Sequence, residues 1–283
     1  MIKSSELIIK PDGSIYHLNA KPGQLAHKII TVGDPERVKL VEAHFDKIIY
    51  RIHNREFVIV TGKYRGEEIS IISTGIGTDN VDIVFNELDA LFNIEFASRK
   101  IKPELQKLKI IRIGTSGAIN EKVPLDSFIL SAYAIGLDSL LHFYKSKNVR
   151  ELALEQQLKT YMPDTKTYAV RASEHLMQAF ESMTQSGITI TAPGFYAPQA
   201  RSVRLGYRKD LISILDGKKY GELSFTNLEM ETSGIYGLAK MLGHEAISLN
   251  AILANRKTGE FSQQPQKTVQ SLIAQALEVI VDI

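Results

Sequence analysis

Apolar residues fall along this chain in two rhythms. Short runs of mostly apolar, often β-branched residues, Lys28–Val32, Phe57–Thr61, Ile69–Ser73, Lys109–Ile113, Ser127–Ala132, Ile188–Thr191 and Glu245–Leu253, mostly end in Gly or a polar turn. They predict strands, several of them buried on both faces. Between them apolar side chains recur every three or four positions: Val38, Val41 and Phe45; Val81, Val84, Leu88 and Leu91; Ile235, Leu238 and Leu242; and Val269, Ile273, Ala276 and Ile280. These predict amphipathic helices, so the order is α/β. Ligands in such sheets sit beyond the carboxyl ends of strands, which directs attention to the residues just after each run. No internal repeat, low-complexity tract or long linker interrupts the pattern. Asn93–Lys109, with Arg99, Lys100, Lys102, Lys107 and Lys109, is expected to be a solvated surface excursion.

With 283 residues, 44% hydrophobic and 23% charged, one large core is affordable and one domain is expected. Basic and acidic residues number 34 and 32, a formal charge of +2, so no basic field is directed at nucleic acid. The chain has no cysteine, which excludes disulfides, thiolate catalysis and cysteine metal sites. The first residues lack an apolar leader and no apolar stretch approaches membrane-spanning length, so no membrane partner and a cytoplasmic location are expected. The histidines show no metal-ligand spacing, and no metal is expected.

Four segments carry candidate chemistry. Thr191–Arg201, TAPGFYAPQAR, sets an aromatic ring at Phe195, a carboxamide at Gln199 and a guanidinium at Arg201 between Pro and Gly residues. A flat heterocycle can stack on the ring, and a carboxamide matches the alternating C=O and N–H edge of a pyrimidine. Arg201 then faces a carbonyl that gains negative charge. A Pro/Gly-punctuated surface loop is the plain alternative. The run Lys28–Val32 leads into Gly33-Asp34-Pro35-Glu36-Arg37, where Asp34 is a natural N-cap and Pro35 a natural first helical residue. Gly33 permits close approach of an anion, and Arg37 can fork onto it at a helix N-terminus.

Arg112 interrupts the apolar run KIIRIG, and a guanidinium buried there must meet an anion. Thr115 and the following glycines offer a hydroxyl and free N–H groups at the strand end. The same segment is no nucleophile elbow, because Ala118 stands where the last glycine belongs. Gly75-Ile76-Gly77 lacks the third glycine of a dinucleotide fingerprint, having Asn80 there, and no glycine run is followed by a P-loop lysine. Glu229 and Glu231, flanking Met230, can accept hydrogen bonds from vicinal hydroxyls while the thioether packs on a sugar face. An acidic helix N-terminus would account for them equally.

In their order, GDPER, HNREF, STGIG, RIGTSGAI, GFYAPQAR, NLEMET and ILANR resemble the uridine phosphorylase branch of the hexameric-type nucleoside phosphorylases, over nearly the whole chain. The resemblance implies one domain over residues 1–283, with a mixed central β-sheet between helices in three layers. It implies that Gly33, Arg37, Arg112 and Thr115 hold phosphate together with Arg55 of a neighbouring subunit. It further implies that Phe195, Gln199 and Arg201 hold the base, that Glu229, Met230 and Glu231 hold the ribose, and that His17 reaches the 5′-hydroxyl across a dimer interface. The glycine-proline-serine that often follows STGIG in the family's bacterial members is Thr78-Asp79-Asn80 here, so the sequence leaves open whether this chain has the intersubunit monovalent-cation site that some members build there with Glu56. The excursions at 93–109 and 142–168 are longer than the family's usual connections.

The activity implied is phosphorolysis of uridine, with deoxyuridine or thymidine as further candidates. Inorganic phosphate is the co-substrate, no cofactor is needed, and the assembly is a homo-oligomer, either a dimer or a hexamer built as a trimer of dimers. Purine-specific relatives place an aspartate after the strand ending ILAN, whereas this chain has Asn255, which has no proton to give, and Arg256, which is free to buttress Arg201 or reach a uracil carbonyl. The alternatives are a purine nucleoside phosphorylase or nucleosidase on the same fold, and a non-catalytic nucleoside-binding protein.

Overall fold

The computed structural model describes residues 1–283. Its first half runs β1 (Lys28–Val32), α1 (Pro35–Glu42), β2 (Lys47–Asn54), β3 (Phe57–Tyr64), β4 (Glu67–Ser73), α2 (Thr78–Asn93), β5 (Ile94–Glu95), β6 (Lys100–Ile101), β7 (Lys109–Ala118) and β8 (Phe128–Gly136). The second half runs α3 (Leu152–Tyr161), β9 (Tyr168–Arg171), α4 (Glu174–Phe180), β10 (Gln185–Thr191), α5 (Leu211–Leu215), β11 (Lys219–Tyr220), β12 (Leu223–Glu229), α6 (Thr232–Leu242), β13 (Glu245–Asn255), β14 (Glu260–Phe261) and α7 (Pro265–Asp282).

The main sheet follows the order β11-β12-β10-β8-β13-β7-β1-β4-β3-β2, with β9 beside β8 and β14 beside β13. It is mixed: β1 runs parallel to β4 and β7, and β7 parallel to β13, whereas β13 is antiparallel to β8. One end of the sheet curls until β12 meets β7 through the pairs Asn227↔Ala118 and Leu228↔Gly117. Strands β7, β13, β8, β10 and β12 thereby form a closed ring, which removes two sheet edges. Helices flank the sheet; α1 packs on β3, β4 and α7, while α6 packs on α2, β8 and β13. One apolar cluster runs from Leu7 to Ile280 and draws on Ile30, Ile71, Ile111, Leu249 and the inner faces of α2, α6 and α7.

Each run predicted as a strand lies within or across one of the observed strands, and each helical stripe lies on a helix, with one exception. Helix α1 ends at Glu42, and Phe45 lies in the turn beyond it, where its ring fills the space over Gly62; a Cβ there would come within 2.3 Å of Phe45 Cδ2. Segment 93–109 lies largely at the surface as expected and carries the small hairpin β5–β6, although Asn93 and Leu108 at its ends are buried. Segment 142–168 contributes more than a surface excursion, because Leu154 and Leu158 of α3 pack in a second apolar cluster with Ile188, Ile190 and Phe225.

Candidate active site

One cavity of about 680 Å³ opens where several chain segments leave their strands. Gly33 and Arg37 follow β1, Gly75 and Ile76 follow β4, Thr115 to Gly117 end β7, Leu253 and Ala254 approach the end of β13, Phe195, Gln199 and Arg201 follow β10, and Glu229 ends β12, with Met230 and Glu231 just beyond it. Of the residues singled out from sequence, Gly33, Arg37, Arg112, Thr115, Phe195, Gln199, Arg201, Glu229, Met230 and Glu231 all line this cavity. His17, Arg55 and Arg256 do not.

The deep wall is a charge cluster. Arg112 Nη2 contacts Glu231 Oε2 at 2.6 Å and Glu229 Oε2 at 3.1 Å, while Nη1 donates to Asn250 Oδ1 at 2.9 Å. The guanidinium lies flat over Gly114, where a Cβ would stand 1.9 Å from Nη1, which is why this strand position carries no side chain. Burial opposes the positive charge of Arg112, yet Glu229 and Glu231 outweigh it and raise its pKa. Burial also raises the pKa of Glu231, with Arg112 pulling the other way and Glu229 adding to the rise. The anion that a buried Arg112 requires is therefore supplied by the chain itself, and burial of this arginine is not on its own a sign of an external ligand.

Both carboxylates are fixed from several sides. Glu229 Oε2 accepts from the N–H groups of Glu231 and Thr232 at 2.9 Å each, and Glu229 Oε1 accepts from Thr191 Oγ1 at 2.6 Å. Glu231 Oε1 accepts from the N–H of Gly77 at 2.9 Å. Across from them α1 begins as its sequence predicts: Asp34 caps it by accepting from the N–H of Glu36, and Pro35 takes the first turn. Arg37 reaches from that turn to the carbonyl of Ile113 at 3.3 Å, and burial followed by the proximity of Arg112 lowers its pKa.

The other wall is a loop. Gln199 and Arg201 flank Ala200, which sits in the left-handed region at φ 52°. Arg201 Nη1 donates to Gln199 Oε1 at 2.5 Å and to the carbonyl of Phe195 at 2.8 Å. Its guanidinium carbon stands 3.8 Å from the centre of the Phe195 ring. The arginine thus covers one face of the ring expected to be an open stacking platform, and a bound heterocycle meets the rest of the ring or displaces the guanidinium. Burial, followed by the nearby Arg256, lowers the Arg201 pKa to about 10.

Arg256 stands behind this loop, donating to the carbonyls of Gln199 and Ala200 at 3.0 Å each, so it props the loop instead of facing the cavity. The Asn255 side chain is spent on the carbonyls of Asn120 and Val123 and on the N–H groups of Lys257 and Thr258. His17 and Arg55 cluster away from the cavity: Asn54 Nδ2 donates to the His17 carbonyl at 2.7 Å, His17 Nδ1 pairs with Glu87 at 2.6 Å, and Arg55 lies 5.6 Å from the Tyr16 ring. Arg55 occupies the β2–β3 turn at φ 56° beside Glu56, which does line the cavity. Sequence reasoning missed Ser116, Phe261, Thr191 and Asn250. Only Ser116 had a local signal, sitting between Thr115 and Gly117; the others act through contacts distant in sequence.

Residues 27–283 match the family model of the phosphorylase superfamily, and the chain belongs to that superfamily. It is 28% identical over 275 residues to a uridine phosphorylase of Thermococcus kodakarensis, an alignment covering 96% of this chain and 88% of the relative. It is 25% identical over 270 residues to a purine nucleoside phosphorylase of Streptococcus suis, covering 94% and 98%. Among solved structures it is similar to a Trypanosoma brucei nucleoside phosphorylase described as showing uridine phosphorylase activity, with a TM-score of 0.87, 28% identity, and coverage of 98% of this chain and 100% of that one.

Proposed function

We propose that this chain catalyses the reversible phosphorolysis of uridine to uracil and ribose 1-phosphate. The observation that carries the reading is the layout of one cavity, with Arg37 and Arg112 beside Glu229, Met230 and Glu231 at the deep end and Phe195, Gln199 and Arg201 opposite. Likeness to uridine phosphorylases at 28% identity supports it. Cleavage of the glycosidic bond passes through an oxocarbenium-like state, in which positive charge grows on the ribose and negative charge on the departing base. Phosphate held by Gly33, Arg37, Arg112 and Thr115 faces the cationic sugar and attacks it. Glu231 and Glu229 anchor the ribose hydroxyls, and Gln199 and Arg201 meet the base carbonyls as they gain charge. Inorganic phosphate is a co-substrate, and the scheme uses no organic cofactor or metal.

Charge balance supports a homo-oligomer. At the deep end of one chain's cavity Arg37 and Arg112 stand beside Glu229 and Glu231, which leaves no surplus positive charge there for a phosphate dianion. Arg55 and His17, grouped outside the cavity of their own chain, complete the site of a second copy in this reading. An inactive Arg55→Ala variant mixed with an inactive Glu231→Ala variant then regains activity through hybrid pairs, and no recovery after verified subunit exchange removes the shared site. No helix is long and apolar enough to cross a membrane, and we place the reaction in the cytoplasm.

Purine cleavage is the second reading, favoured by relatives named purine nucleoside phosphorylase. Against it, the residue after Ala254 is an asparagine locked into the turn, so no acid stands ready to protonate a purine ring nitrogen. Base release from uridine, thymidine, inosine and adenosine, each with and without phosphate, separates the readings. Phosphate-dependent uridine cleavage well above that of inosine is expected. Equal rates without phosphate would assign the chain to the nucleosidases.

A further inference from the structure

A second cavity, of about 470 Å³, lies in the cleft between α1 and the first turns of α7. Glu36 and Lys39 stand on its α1 wall and Gln266 and Gln270 on its α7 wall, and all four are exposed, so the cleft opens to solvent. Its inner end is lined by Asp34, Arg37, Thr115 and Leu253. The same four residues line the active-site cavity, so they form the partition between the two spaces.

Arg37 is the loosest part of that partition. Its side chain makes one hydrogen bond, 3.3 Å to the carbonyl of Ile113, whereas Arg112 is tied to Glu229, Glu231 and Asn250. Most of the Arg37 N–H donors therefore remain for an ion, from whichever side it arrives. The acidic groups of the cleft are already engaged: Lys39 Nζ lies 2.7 Å from both carboxylate oxygens of Glu36, and Asp34 Oδ1 accepts from the N–H of Glu36 at 2.9 Å. The charge met at the inner end is that of Arg37.

The main mouth of the active site lies elsewhere. Ile76, Phe195 and Phe261 are its exposed rim, while Arg112, Glu229 and Glu231 are buried behind them. A nucleoside with its base at Phe195 and its ribose at Glu229 and Glu231 fills the path from that rim to the arginines. We infer that the α1–α7 cleft is a second entrance, through which inorganic phosphate reaches Arg37 while a nucleoside occupies the main mouth. This rests on the reading of the cavity as a nucleoside phosphorylase site. The two substrates then enter from opposite sides and neither has to wait for the other.

The test is kinetic. Phosphate-dependent cleavage of uridine by the wild type is measured first, and its absence overturns the phosphorylase reading and the entrance with it. Initial rates are then taken over a grid of phosphate and uridine concentrations. In the wild type, uridine above its own KM is expected not to inhibit against phosphate. Gln266→Trp and Gln270→Trp each place an indole in the cleft from an exposed position, which leaves the core untouched. In both variants uridine is expected to become a competitive inhibitor against phosphate. At saturating uridine, kcat/KM for phosphate is expected to fall by about tenfold, within the roughly one to three decades over which association rates vary among variants of one binding surface. The loss at uridine well below its KM is expected to be clearly smaller, with kcat at saturating phosphate unchanged. Lys267→Trp, exposed on the same helix but outside the cleft, is expected to match the wild type. Competitive inhibition by uridine in the wild type, no change in either cleft variant, losses equal at low and saturating uridine, or the same effect from Lys267→Trp each overturn the second entrance.

Discussion

The two walls of the cavity are built by opposite means. At the deep end Arg112, Glu229 and Glu231 project from or directly follow strands, are almost fully buried, and have their charged atoms tied by two to four partners each. At the base end Phe195 and Arg201 project from a loop, Phe195 is 50% exposed, and the contacts of Arg201 are with its own loop. In the proposed reaction the deep wall is preorganised where a cation would develop and a phosphate would attack, which would leave little reorganisation to the chemical step. The base wall is held by one external prop, Arg256, and can adjust to the base that arrives. On the proposed function, the chemistry would be fixed in the ring of strands and selection of the base left to the loop.

The comparison breaks first at Arg112. Arg112→Lys keeps the charge but loses the planar fork, and kcat is expected to fall by at least about a thousandfold while circular dichroism reports a folded chain. A folded Arg112→Lys enzyme with a mild defect would mean that the deep wall tolerates looseness. At the loop, Arg201→Ala is expected to lower kcat/KM on uridine by roughly a hundredfold, the usual size for an oxyanion donor. Arg256→Ala, which removes only the prop, is expected to raise the KM for uridine by about threefold to tenfold, as one or two lost hydrogen bonds would. Equal effects of the two loop variants on kcat would show that Arg256 does more than support.

The pH profile grades the same contrast. Burial and the neighbouring Arg256 lower the Arg201 pKa to about 10, and the guanidinium stays charged through the neutral range, so kcat/KM is expected to show no loss traceable to Arg201 between about pH 6 and 8. Glu231 is raised above its ordinary 4.5, so it takes up its proton earlier as pH falls. An acid limb with its midpoint above 4.5 is expected, and a limb at or below 4.5 would say that a different carboxylate controls it.

What could be read from the sequence follows the same division. Strands buried on both faces, such as Lys28–Val32 and Lys109–Ile113, announced themselves as apolar runs and were found with their first residues in place. Strand β2 was not legible, because as an edge strand its KIIYRIHN mixes polar with apolar positions and much of it is exposed. Strand β12 was missed for a different reason: Asn227 accepts from the buried Thr189 hydroxyl and Thr226 donates to the Asn227 carboxamide, so LSFTNLE reads as a polar connection although it is central. The motifs named the cavity-lining residues, since Gly, Pro and charged residues stand out after strands. Their partners did not stand out. Arg112 meets Glu229 and Glu231 more than a hundred residues later, and no local pattern tells that the arginine is already compensated.

The seam between β7 and β12 is only two residue pairs long, and it joins positions 117–118 to 227–228. Such a contact has high sequence separation and little local reward, so it is expected to form late in folding and not in its nucleus. The catalytic wall then exists only after the second half of the chain has found the first. A molecule bound against Arg112 and Glu231 together touches both sides of that seam, and its binding free energy is expected to appear as slower opening of the whole ring.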